Sequence, residues 1–206
     1  MQSVVVYDCE FLTAPGAPQR FWCGPSDPDP LTIQIGAVRL PLEVPFEVSA
    51  PVGWYVLPMD RDGQRVTLHP LVTKLTGIAE EHLDAEGLLL TDALCALDRF
   101  SEGAPLLAWG KDELLSLAAS LFVQNAVAPI PAHRFRNAVP LVVTAGEPVE
   151  AVETLRSNTI CAHFGLPDAG QAHDARGDAL SVAHALRHLL VSNRLSALDV
   201  AKLCDA

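Results

Sequence analysis

The sequence predicts an α/β domain: a mixed central sheet, begun as an antiparallel meander and completed by parallel strands, with helices on both faces. Three observations predict it. Short β-branched or alternating apolar runs fill the N-terminal part of the chain. Helical apolar spacing takes over after Pro70, and a short apolar run from Ala104 to Trp109 then interrupts the helices. Strands first, then alternating strand and helix, is the order of a mixed sheet with helices packed on it.

Ser3 to Tyr7 is short and valine-rich, the composition of a buried strand. From Thr13 to Pro30, seven Pro and Gly residues (Pro15, Gly16, Pro18, Gly24, Pro25, Pro28, Pro30) exclude regular structure. Thr32 to Leu40 alternates as a second strand, and Trp54 to Leu57 belongs to a third. Consecutive strands with no helix between them pair most simply as a meander.

Leu71 to Leu75 is helical and stops at Thr76-Gly77, and Leu88 to Phe100 is apolar at three- and four-residue spacing. Ala104 to Trp109 is expected as a strand, Asp112 to Asn125 as a helix and Pro129 to Pro140 as irregular chain. Val152 to Phe164 reads as a helix ended by Gly165. Ala175 to Val191 is the longest clean helix, and Leu195 to Leu203 the last. With no repeat and no long linker, residues 1–206 are expected to form one domain.

Half of the 206 residues are apolar and 19% are charged, which allows a large core and excludes global disorder. Fourteen Lys and Arg against 25 Asp and Glu leave a net charge of −11, excluding a basic protein that coats duplex DNA. A nucleic-acid end held locally by metals and a few arginines is compatible with that charge. Five cysteines (Cys9, Cys23, Cys95, Cys161, Cys204) without a CxxC pair predict reduced thiols rather than a disulfide frame or a zinc site. The N-terminus lacks the features of a signal peptide, so a cytoplasmic protein is expected.

The chemistry lies in acidic residues of three separated segments. Asp8 and Glu10 end the first strand one residue apart, and residues i and i+2 share a face, so both carboxylates can reach one ion. Asp112 and Glu113 follow Trp109-Gly110 at a turn from strand to helix, where helix capping alone also favours an acid. The segment does not fix which of the two points inward. His173 precedes Asp178 by five residues at the mouth of the longest helix. An imidazole beside a metal-binding acid can take a proton from an attacking water. Clustered carboxylates are costly without positive charge among them, and two-metal sites suit phosphodiester cleavage.

Taken together, these segments resemble the DEDDh (DnaQ-like) 3′-to-5′ exonucleases, which have the ribonuclease H-like fold. The D-x-E motif matches Asp8 and Glu10, and H-x(4)-D matches His173 and Asp178, with Asp174 where the sister subclass has Tyr. Ile33 to Val38 resembles the family's second strand, and Leu75-Thr76-Gly77-Ile78 its helix break. The resemblance runs from about Val4 to Leu190. It implies two Mg²⁺ or Mn²⁺ ions on Asp8, Glu10, Asp112 and Asp178, with Glu113 the alternative to Asp112, and His173 as general base. It further implies action on single-stranded RNA or DNA 3′ ends with release of nucleoside 5′-monophosphates, and a possible homodimer. The Trp109-Gly110 lead-in is like that of the RNA-trimming branch. The family's Thr after D-x-E is displaced by one, at Thr13, and the Pro-rich loop is long. A catalytically silent nucleic-acid-binding or interaction module of the same fold is the alternative reading.

Other residues carry weaker signals. Phe21 and Trp22 can stack on terminal bases or form a hydrophobic lid. His184 and His188 have metal-pair spacing without a carboxylate partner and read as helix surface. Arg134 and Arg136 read as phosphate contacts or as solvated loop residues.

Overall fold

Val4, Val5 and Val6 are all fully buried, so β1 (Ser3–Phe11) has no solvent face. A strand buried on both sides belongs at the centre of a sheet. The sheet order is β3-β2-β1-β4-β5, with β2 at Thr32–Pro41, β3 at Val52–Tyr55, β4 at Leu106–Ala108 and β5 at Phe135–Asn137. β1 pairs antiparallel with β2, and β2 antiparallel with β3, which makes the expected meander. β4 and β5 add parallel strands on the other side of β1. The computed structural model describes residues 2–170 and 172–205.

The alternation of β1 divides the core. Val4 and Val6 pack with Val38, Leu40 and the buried stripe of α8 (Ala175–Val191), including Val182, Leu186 and Leu189. Val5, Tyr7 and Cys9 point the other way, onto Leu90, Leu94 and Leu97 of α3 (Leu90–Ser101) and Leu117 of α4 (Asp112–Val123). A third cluster, with Leu12, Ile33, Val72 and Leu83, lies under α1 (Pro70–Thr76) and α2 (Glu80–Glu86). Gly77, at φ 73°, closes α1 with its N–H on the Thr73 carbonyl, the left-handed stop expected from Thr76-Gly77. No helix among the described residues is long and apolar enough to cross a membrane.

Two sequence expectations need correction. The segment from Pro129 to Pro140 is not irregular throughout. It contains β5, whose Phe135, Arg136 and Asn137 register with Leu106, Leu107 and Ala108, and it leads into α5 (Val139–Thr144), with Pro140 in the first turn. Val152 to Phe164 is not one helix but α6 (Val149–Val152) and α7 (Ile160–His163). Between them the Arg156 N–H donates to the Thr159 hydroxyl at 3.0 Å, a local bond that competes with helical pairing. The chain ends in α9 (Ala197–Asp205).

Candidate active site

The acids of β1 continue the row that packs on α8. Asp8 lies opposite Gly36 of β2 and Glu10 opposite Gln34, and directly opposed residues share a face of the sheet. Gly36 is required by close approach: a Cβ there would meet the Ala175 carbonyl carbon at 2.2 Å, so α8 begins directly on the β2 backbone. Gln34, almost fully buried, fixes that helix start through both ends of its amide. Its Oε1 accepts from the Ala175 N–H at 2.9 Å and its Nε2 donates to Asp174 Oδ1 at 3.1 Å. Asp174 is also the N-cap, accepting from the Arg176 N–H at 3.2 Å and from the Arg176 guanidinium. The result is a clamped first turn, which carries Asp178 inward at 5% exposure.

One ligand atom from each of Glu10, His173 and Asp178 lies within 4.8 Å of the others. His173 is exposed and takes the left-handed conformation, φ 61°, just before the cap. Asp8, 5% exposed, is buried beneath them. Burial raises its carboxyl well above the ordinary range, and the negative charges of Glu113, Glu10, Asp178 and Asp174 raise it further. Burial, then Asp178 and Asp174, push Glu10 up to about 8. Burial likewise pushes Asp178 up to about 6, against the lowering influence of His173, whose charge and backbone N–H both act on it, and of the Ser157 hydroxyl.

Of the pair at the start of α4, Glu113 is buried and Asp112 exposed. Glu113 is pushed up to about 7, by burial first and also by Asp112 and Asp178, and its Oε2 has no hydrogen-bond partner. Asp112 stands on the rim of a cavity of about 340 Å³ that Glu10 and His173 also line. Asp8, Glu113 and Asp178, all buried, and the half-buried Glu10 thus form a mutually repelling carboxylate set with an orphaned oxygen. Hard divalent cations, which prefer oxygen donors, fit that chemistry.

This arrangement has a pH signature. A carboxyl raised in the folded state holds its proton more tightly there than in the unfolded chain, so stability is lost as pH rises across the interval between the two values. In EDTA the melting temperature should fall from about pH 4, where unfolded carboxyls begin to ionise, to about pH 8, where Glu10 ionises in the fold. A thermal melt series at constant ionic strength measures this; a melting temperature that climbs over that interval contradicts the electrostatics described.

Several residues at the site carried no clear sequence signal. Gln34 is visible only as one more polar position in an alternating strand. Arg156 comes from the break between α6 and α7, where the sequence predicts a continuous helix, to line the same cavity as Glu10 and His173; Trp22, which the sequence does single out, reaches it from the Pro-rich loop. Arg134 and Arg136 are neither solvated nor turned toward the site. Arg134 pairs with Asp98 and donates to the Ala104 carbonyl, and Arg136 donates to the Cys204 carbonyl at 2.9 Å. His184 and His188 line a separate cavity on α8 with Asp168, and they do not join any cluster of metal-ligating atoms among the described residues.

No protein-family model matches this sequence, and no curated protein matches it. Solved structures do match. The nuclease domain of 3′hExo, a DEDDh family member bound to rAMP, superposes with a TM-score of 0.73 at 17% identity, covering 94% of each chain. Cell-death related nuclease 4 gives a TM-score of 0.70 at 19% identity, covering 95% of this chain and 66% of its own. E. coli exonuclease I, in complex with a dT13 oligonucleotide, gives 0.60 at 15% identity, covering 92% of this chain but 41% of its own. The chain has the ribonuclease H-like fold, in the arrangement these nucleases share.

Proposed function

We propose that the chain is a DEDDh-type 3′-to-5′ exonuclease that removes nucleotides from single-stranded nucleic-acid ends. The observation that carries this reading is the carboxylate set of Asp8, Glu10, Glu113 and Asp178, three of them buried, gathered beside His173. The fold shared with 3′hExo and exonuclease I supports it.

Asp8, Glu10, Glu113 and Asp178 would hold two Mg²⁺ or Mn²⁺ ions. We take Glu113 rather than Asp112, because its oxygen is buried and without a partner while Asp112 faces solvent. The ions supply positive charge that makes water a better nucleophile and stabilises the departing oxygen. His173 would take the proton from the water that attacks the terminal phosphorus. The bond from phosphorus to the 3′-oxygen of the preceding nucleotide breaks, leaving a nucleoside 5′-monophosphate and a strand shortened by one with a new 3′-hydroxyl. The Gln34 clamp on α8 keeps Asp178 in reach of Glu10 throughout.

The test is degradation of 5′-labelled single-stranded RNA and DNA oligonucleotides, with Mn²⁺ or with EDTA, beside melts in the same buffers. A ladder that shortens from the 3′ end only with metal is expected, together with a Mn²⁺-induced rise in melting temperature. Absence of both overturns the proposal. Glu113→Gln should lower turnover about a thousandfold, the loss of several kcal/mol of charge stabilisation. Asp112→Asn should lower it less than about tenfold, as for a solvent-facing charge. The reverse order would assign the role to Asp112.

A further inference from the structure

A second cavity, of about 240 Å³, opens on the side of α8 away from the sheet and shares no residue with the carboxylate site. His184, Arg187, His188 and Val191 recur at three- and four-residue spacing, so one face of the helix supplies them. Ala185, Leu186, Leu189 and Leu190, on the other face, are buried in the core. Leu166, Pro167 and Asp168, from the loop after α7, complete the lining. An arginine and two imidazoles on one helix face form a donor-rich surface in a chain of net charge −11.

Arg187 decides what this cavity can hold. Its Nε donates to the Phe46 carbonyl at 3.0 Å, which pins the half-buried guanidinium to the loop after β2. No carboxylate among the described residues pairs with it. Arg194, just beyond α8, shows the contrast: it pairs with Glu147 at 2.6 Å, and His163 meets the same carboxylate. A half-buried guanidinium without an anion is costly, and its remaining N–H donors suit phosphate oxygens. His188 packs on the Phe164 ring at 5.6 Å, and Arg194 lies over that ring at 5.8 Å. Burial, then the Arg187 charge, lower His184 below the usual imidazole range, so it is neutral at pH 7 and still offers one N–H.

From these features we infer that the cavity binds a small phosphate monoester, with Arg187, His184 and His188 around the phosphate and Leu166, Pro167 and Val191 against an apolar body. A volume of about 240 Å³, below the range of drug-sized ligand pockets, limits that body to about one ring. Arg187 favours phosphate over carboxylate. With its Nε taken by Phe46, the side-on fork that matches a planar carboxylate is lost. The remaining donors come from three side chains, which suits the several oxygens of a tetrahedral group. Asp168, exposed in the same lining, repels a second anionic group and so selects ligands charged at one end. The site does not depend on the exonuclease reading.

The test is calorimetric titration of the full chain with phenyl phosphate, inorganic phosphate and benzoate, in EDTA so that no ion at the carboxylate site recruits phosphate. Phenyl phosphate should bind one to one, roughly tenfold tighter than inorganic phosphate, as for partial burial of a ring. It should also bind more tightly than benzoate. Arg187→Gln should weaken phenyl phosphate about tenfold to a hundredfold, the range of charge-assisted hydrogen bonds. His188→Gln should weaken it about threefold to tenfold, as for one hydrogen bond. Asp168→Asn should tighten it about twofold to fivefold, as for an exposed charge. Because Asp168 is exposed, that variant decides the matter even if Arg187→Gln does not fold. No binding of phenyl phosphate by wild type overturns the inference, as does undiminished binding in Arg187→Gln or weaker binding in Asp168→Asn. Benzoate bound as tightly as phenyl phosphate overturns the assignment of a phosphate ligand.

Discussion

Asp8→Asn should melt higher than wild type in EDTA, gain no stability from Mn²⁺, and fail to turn over substrate. Asp8, like Asp178, is only 5% exposed, and the charges acting on it are those of Glu113, Glu10, Asp178 and Asp174. Replacing the carboxyl with an amide of the same shape removes a buried acid that must either hold its proton or ionise among other carboxylates, and leaves an N–H₂ with carboxylate acceptors close by. A gain of about 1 kcal/mol corresponds to about 2–4 °C for a chain of this size. Wild type should overtake the variant once Mn²⁺ is added, because an ion at a hundredfold its dissociation constant contributes about 2.7 kcal/mol. Turnover should fall at least about a thousandfold, since the missing ligand carries several kcal/mol of charge stabilisation. Differential scanning fluorimetry in both buffers, with a gel assay on the same samples, checks all three. A variant that melts lower in EDTA would show that Asp8 stabilises the fold, and a retained Mn²⁺ shift would remove it from the ion site.

What the sequence made legible depended on the range of the interaction that fixes each feature. α8 runs from Ala175 to Val191 as expected, because its cap, its apolar stripe and its end are all local. β5 could not be found this way: it is three residues long and exists only through parallel pairing with β4, some thirty residues earlier. The break between α6 and α7 was hidden by apolar spacing that continues across Ser157, Asn158 and Thr159. The same distinction governs the site. Asp8 and Glu10 share a face by strand alternation, a property of the tripeptide itself. Choosing between Asp112 and Glu113 requires the rotation of α4 about its axis, and the buried stripe of that helix is Glu113, Ser116, Leu117, Ser120 and Val123. Two of those are serines, buried because Ser120 accepts from the Thr32 N–H at 2.9 Å and Ser116 meets the Thr32 hydroxyl at 3.4 Å. An apolar pattern search reads the polar start of such a face as solvent. The inward acid is therefore decided by a polar contact with β2 that no helical periodicity reports.

His173→Asn should lower kcat by about a hundredfold to ten-thousandfold, the range for losing a general base, while keeping most of the Mn²⁺-induced rise in melting temperature. Asparagine is the informative replacement because His173 is left-handed, at φ 61°. Asn tolerates that region better than most residues, whereas alanine there costs about 1–2 kcal/mol and confounds chemistry with folding. With Asn the backbone stays in place, so the His173 N–H continues to donate to the Asp178 carboxyl and the start of α8 is undisturbed. What disappears is the imidazole, whose ligand atom lies within 4.8 Å of those of Glu10 and Asp178. If that imidazole takes a proton, the rate falls, the ion-dependent stability survives, and added free imidazole restores part of the turnover. If it instead binds an ion, the Mn²⁺ shift collapses together with the rate and free imidazole does nothing for either. A variant with near-normal turnover would exclude both roles and leave His173 as the residue that closes the loop before the Asp174 cap.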